Sequence, residues 1–205
     1  MTDPKRQGER PQMRDARAPV IIISMLLAAA PASAQDKPEP GGFWASMQVG
    51  YGRLDRFSDQ ESHDEQDAFA LSFMLGGTLN RHLRLGAQVN GWLLEAYDFS
   101  DPARGESLSQ IFIIADVYPW SSAGAFVRAG LGRAIYSNRD PNEWESSGWG
   151  QTVAVGYEQR VGGRFSLTPI LSYGQGSLGD VVNAAVTIQN RRYHVFDLGI
   201  AVTYN

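Results

Sequence analysis

The chain has 205 residues, with 18 Lys+Arg against 22 Asp+Glu, a formal net charge of −4 and no cysteine. Without cysteine there is no disulfide framework, thiolate metal centre or cysteine nucleophile, and the acidic balance argues against nucleic acid as a partner. No apolar run after residue 34 approaches the roughly 20 residues of a membrane helix, so a mature chain embedded in a membrane would have to be a closed barrel with every backbone group paired.

Residues 1–17 are polar and basic, with Lys5, Arg6, Arg10, Arg14 and Arg17, and an apolar run from Val20 to Ala30 leads into Pro31-Ala32-Ser33-Ala34. A charged n-region, a short h-region and an A-x-A site predict a secretory signal peptide cleaved after Ala34. Met13 is an alternative start, and an uncleaved anchor is disfavoured by the shortness of the run. Processing leaves 171 residues with 13 Lys+Arg against 19 Asp+Glu, a net charge of −6, and Lys37 as the one lysine. A soluble barrel covers its wet face with lysine and glutamate, so this scarcity counts against a soluble reading. Residues 35–42 (QDKPEPGG) are a linker, and residues 43–205 form the domain.

From residue 43 onward, alternating apolar and small or polar residues recur in eight segments: 43–54, 68–79, 83–96, 108–118, 125–136, 149–161, 164–175 and 192–204. Period two is the mark of a half-buried strand. The first segment sets Ala45, Met47, Val49 and Tyr51 against Ser46, Gln48, Gly50 and Gly52; the last sets Phe196, Leu198, Ile200 and Val202 against Asp197, Gly199, Ala201 and Thr203. Connections alternate long and short. Asn80-Arg81-His82, Ser121-Ser122-Ala123-Gly124 and Gly162-Gly163 mark the short turns, and Pro119, with no N–H for a ladder, ends the fourth strand. Two residues break the alternation. Arg133 falls on the apolar face, which a bulge or a place in the headgroup zone would repair, and His194 interrupts the last strand. This rhythm predicts an all-β, eight-stranded antiparallel up-and-down transmembrane β-barrel, with periplasmic short turns and extracellular long loops.

Periodicity does not say which face is outside, since a lipocalin-type barrel alternates with its apolar face inward. Two features choose. The polar face is built of Gly, Ser, Thr, Gln and Asn with isolated charges, suiting a crowded interior. Aromatic residues also gather near strand ends, with Phe43, Trp44, Tyr118, Trp120 and Phe165 near the short turns and Tyr97, Tyr136, Trp149, Tyr173 and Tyr193 near the long loops. These read as two interfacial girdles. With the leader, the loop rhythm, the strand end Asp116-Val117-Tyr118-Pro119-Trp120 and the strand Phe196–Tyr204, residues 43–204 resemble the small outer-membrane barrels of the OmpA/OmpX type. The resemblance implies recognition by the barrel assembly machinery through a terminal aromatic residue, which here stands one place early, at Tyr204. It carries over no catalytic residue.

The predicted interior charges are Arg84, Asp116, Arg128, Glu158, Arg160 and Asp197, three of each sign. Charges in a narrow barrel must be paired, so they are read as a salt-bridge network filling the lumen, with a charged pore constriction as the alternative. The acidic stretch Asp55–Asp67 holds six carboxylates and His63, but its spacing matches no calcium loop. Gly174-Gln175-Gly176-Ser177-Leu178-Gly179 matches G-x-G-x-x-G, yet no helix pattern follows it, so it is read as a permissive strand end. His194 with Ser177 is a weak candidate dyad for lipid A chemistry. Arg191 and Arg192, with Arg104 and Arg139, are candidate contacts to lipopolysaccharide phosphates. Together these readings predict a monomeric, non-enzymatic outer-membrane barrel without cofactor or metal, surrounded by outer-membrane lipids and lipopolysaccharide. Its expected role is envelope integrity or surface interaction through the outer loops; the alternative is a narrow pore or a conduit for small molecules.

Overall fold

A computed structural model of the chain describes residues 41–57, 64–94, 106–120, 123–138, 144–183 and 186–205. Nearly all of the predicted leader and linker lies outside them, as do Tyr97, Arg104 and Arg139. The described residues form β1 (Phe43–Phe57), β2 (Asp64–Asn80), β3 (Leu83–Leu94), β4 (Glu106–Val117), β5 (Ala125–Asn138), β6 (Trp144–Tyr157), β7 (Gln159–Gly162), β8 (Phe165–Asn183) and β9 (Val186–Tyr204). β6 and β7 are two parts of one barrel strand. Both pair with β8 in the same register, through Gly156↔Ile170 and Gln159↔Leu167, and only Glu158 interrupts the ladder. Every pairing is antiparallel, and β9 returns to β1 to close an eight-stranded barrel.

The register fixes the barrel's dimensions. Across the strands the inward-facing row runs Ser46, Met74, Gln88, Phe112, Gly132, Gly150, Gly176, Tyr193 and returns to β1 at Arg56, ten residues above its start. Eight strands with a stagger of ten imply a tilt of about 40° and an interior only wide enough for side chains.

The facing of the strands follows the sequence argument. Met47, Val49, Phe73, Ile113, Leu131, Val153, Ile200 and their neighbours are exposed, Ile113 by 76%, whereas Gln48, Ser72, Gln110, Arg128 and Asp197 are buried. This inside-out arrangement is unsuited to water and suited to hydrocarbon. The aromatic residues divide by parity rather than by position along the strand. Phe43, Trp120, Phe165, Trp149 and Tyr173 point outward, but Trp44, Tyr118, Tyr136 and Tyr193 are buried in the lumen, which corrects their assignment to the girdles. Each of those four is flanked by outward-facing neighbours, and a pleated strand sends adjacent side chains to opposite faces.

Several strands also exceed their predicted ends. β1 and β2 stay paired to Arg56↔Asp64, and β8 and β9 to Asn183↔Val186. Residues 55–57 and 64–67 of the acidic stretch are therefore strand, and Arg53 bridges Glu65 and Asp67 at 3.0 and 3.4 Å. The G-x-G-x-x-G segment lies within β8 rather than at its end. Gly179 has φ of +70° at a break in the β8–β9 register, a conformation in which glycine avoids the Cβ clash of other residues.

Candidate functional site

The lumen collects the buried polar chemistry, and it divides into layers. At the short-turn end, Arg84 and Asp116 face each other across β3 and β4, and Asp116 faces Arg128 across β4 and β5. Arg128 grips Asp116 with two bonds, Nε to Oδ1 at 2.6 Å and Nη2 to Oδ2 at 2.8 Å. This fork-on-carboxylate geometry is the strong form of the ion pair. Arg84 donates instead to Glu158 Oε2 (2.9 Å), to the Tyr118 hydroxyl (2.9 Å) and to Asn205 Oδ1 (2.8 Å). Tyr118 donates to the same Glu158 oxygen at 2.9 Å, while Asn205 Nδ2 donates to Glu158 Oε1 at 2.7 Å. Glu158 reaches this cluster from the interruption between β6 and β7, where its backbone N–H turns away to the Gly124 carbonyl.

Arg160 and Asp197 lie at other heights of the barrel. Arg160 is half-buried at the mouth of the short-turn end, in register with Ser166. Asp197 is buried mid-lumen, where it accepts a bond from Gln48 Nε2 at 3.2 Å, with no cation within ion-pair distance among the described residues. Four of the six residues thus form two ion pairs, Arg84–Glu158 and Arg128–Asp116, and Asp197 is served by an amide.

Above this layer neutral groups take over. Gln88 donates to Asn90 (2.7 Å), Asn90 and Trp92 donate to Gln110 Oε1 (3.1 and 3.3 Å), and Gln110 donates to the Tyr193 hydroxyl (3.1 Å). Toward the long-loop end the interior turns apolar, with Leu54, Trp92, Leu108, Tyr136, Leu178 and Tyr193 in one buried cluster. Over it lies a charged lid that the sequence reading missed. Arg56 pairs with Glu106 at 2.7 Å and bonds the Tyr136 hydroxyl, and the Tyr136 ring has the Arg56 and Arg191 guanidinium carbons 5.2 and 5.3 Å from its centroid. Arg56 and Glu106 lie in stretches that look like loop, and the strand parity that turns them inward was the signal available. Arg191 is likewise buried, so it does not act with the exposed Arg192 on a lipid surface.

Three ion pairs, Arg56–Glu106, Arg84–Glu158 and Arg128–Asp116, thus lie inside the described part of the barrel. The cavity between Trp44, Met74, Arg84 and Arg128 measures ≈ 10 Å³, room for about one water molecule.

Outside the barrel, both breaks in the alternation have physical settings. The β4–β5 and β5–β6 registers run through Arg133 without a shift, so there is no bulge. Arg133 lies beside the outward Trp149, 5.9 Å from its ring, and donates to Ser147 Oγ at 3.0 Å. His194 packs against Phe57 and Tyr173, with centroids 5.0 and 5.9 Å away. Ser177 Oγ donates to the Arg191 carbonyl at 3.4 Å, and no His194–Ser177 bond forms. Among the described residues no cluster of three metal-ligating side chains occurs.

By sequence, no known protein family and no curated protein matches the chain. By structure, it is similar to Neisserial surface protein A, with a TM-score of 0.55 and 16% identity over 80% of this chain and 99% of that one. It is also similar to the outer membrane protein AlkL determined in DMPC lipid bilayers, with a TM-score of 0.51 and 12% identity over 85% of this chain and 94% of that one. Closed by β1 against β9, apolar outside and packed inside, the chain has the fold of the small eight-stranded outer-membrane β-barrels.

Proposed function

We propose that the protein spans the outer membrane of a Gram-negative bacterium as a closed, non-conducting and non-enzymatic barrel. Its role is then envelope integrity or surface interaction through the long-loop end. The observation that carries this reading is the pairing of an apolar exterior with a filled interior: the outward face seats the chain in lipid, while three ion pairs, an amide chain and an aromatic cluster occupy the space a solute would cross. The narrow-pore alternative requires unoccupied space along the lumen, and among the described residues the ≈ 10 Å³ cavity beside Trp44, Met74, Arg84 and Arg128 is too small for a permeant.

The barrel is exported with its leader removed after Ala34, works as a monomer, is inserted by the barrel assembly machinery and sits among outer-membrane lipids and lipopolysaccharide. With no buried His–Ser or His–carboxylate pair among the described residues to activate a nucleophile, lipid A modification has no support in the geometry. The test is twofold. Protein from purified outer membranes should migrate differently in SDS before and after boiling, and planar bilayers containing it should show no steps of conductance. Recovery as a soluble periplasmic protein would overturn the membrane reading; reproducible conductance would overturn the closed one.

A further inference from the structure

On β5 the outward row runs Leu131, Arg133, Ile135, so Arg133 interrupts an apolar row, and beside it on β6 the outward row runs Val153, Gln151, Trp149. The outward neighbours of Arg133 at this height include Ser109, Gln151 and Gln175, with Gln151 and Gln175 side by side in the β6–β8 register. Trp149, 61% exposed, stands directly above Gln151.

Two of the outward arginines of the described rim, Arg53 and Arg133, differ in one respect. Arg53 is neutralised by Glu65 and Asp67. Arg133 has only a neutral hydroxyl and an aromatic ring, and no carboxylate lies within ion-pair distance among the described residues. A guanidinium at the hydrocarbon edge is costly unless an anion meets it there, and its planar fork suits phosphate oxygens.

From this we infer that the β5–β6–β8 face of the upper rim is a binding site for the phosphorylated sugar headgroup of an outer-leaflet glycolipid. Arg133 holds the phosphate, the Gln151 and Gln175 amides meet sugar hydroxyls, and Trp149 offers an aromatic face beside them. The inference rests on the outer-membrane reading above.

The test uses the folded full-length protein in detergent micelles, with thermal stability read from its heat-dependent mobility. Three probes are titrated: lipid A, phosphatidylglycerol and inorganic phosphate. Lipid A should raise the melting temperature of the wild type, and Arg133→Gln should need at least tenfold more lipid A for the same rise. Arg53→Gln should behave as the wild type. Gln151→Leu, which leaves the charge in place, should weaken lipid A but not phosphatidylglycerol, and it keeps the test open if Arg133→Gln misfolds. Equal response to phosphatidylglycerol would overturn the sugar component, equal response to inorganic phosphate would overturn the lipid source, and an Arg133→Gln response equal to wild type would overturn the site. Absence of a heat-modifiable species from outer membranes would instead overturn the underlying membrane reading.

Discussion

Asp116→Asn is the sharpest probe of the lumen, because it removes a charge while keeping shape. Asp116 and Arg128 are joined at 2.6 and 2.8 Å, with side-chain exposures of 3% and 6%, so neither can turn to solvent when its partner is neutralised. Arg128 otherwise meets the Met74 sulfur and lies 5.5 Å from the Phe126 ring, neither of which replaces a carboxylate. Breaking a pair so enclosed costs about 3–5 kcal/mol, whereas replacing both members with apolar residues of similar volume is often close to neutral. The single variant should therefore be destabilised by about 3 kcal/mol or more, and Asp116→Leu with Arg128→Met should recover most of that loss. The assay is reversible urea unfolding in phospholipid vesicles, followed by tryptophan fluorescence and checked by SDS mobility without boiling. An Asp116→Asn cost below about 1 kcal/mol, typical of exposed pairs, or a double variant as unstable as the sum of its singles, would refute the picture of an enclosed and mutually dependent pair.

Other outcomes follow from the same geometry. Gly132→Ala should abolish the heat-modifiable form, because a Cβ there would run into the Ile111 carbonyl oxygen, while Gly77→Ala should be tolerated, since nothing lies within 4 Å of its Cβ position; SDS mobility distinguishes them. Trp92→Ala should cost about 3–5 kcal/mol through the cavity it leaves in the apolar layer, measured by the same urea titration. Opening one layer should not make a channel: Asp116→Ala with Arg128→Ala should stay silent in planar bilayers, and conductance should emerge only when Trp92→Ala and Tyr193→Ala are added. His194→Ala should leave the lipid A composition of the host unchanged by mass spectrometry and shift stability by less than about 1 kcal/mol, as is usual for a partly exposed ring.

The architecture was legible in the sequence because a period of two and the spacing of turns are local properties. The eight strands, their antiparallel order and the outward direction of Met47, Ile113 or Val153 all follow from neighbours a few residues apart. What filled the barrel was harder to read. Aromatic residues near strand ends look alike, and only strict parity separates the outward Trp149 from the inward Tyr136 and Tyr193. Pairings such as Arg84 with Glu158, or Arg56 with Glu106, depend on the stagger of the whole barrel, which no single strand encodes. Equal numbers of acidic and basic candidates suggested one shared network, but Asp197 faces Gln48 and Arg160 stands at the rim, because the stagger sets them at other heights. The strand extensions at Arg56↔Asp64 and Asn183↔Val186 were hidden by their polarity, since a hairpin above the membrane has no apolar face to display.

Closure of β1 on β9 also bears on how the chain reaches its native state. Its partners are separated by most of the domain: Ser46 meets Thr203 across 157 residues and Gln48 meets Asp197 across 149. Each of the other hairpins joins neighbours in sequence and has little loop entropy to overcome, whereas this seam unites the two ends of the strand series, and contacts of such range are slow to form. A slip of one residue there would turn every side chain of the joining strand to the wrong face. The two polar contacts behind the seam act as a proofreading mark for the final zip: only the correct alignment brings the serine to the threonine and the amide to the aspartate inside the nearly finished barrel.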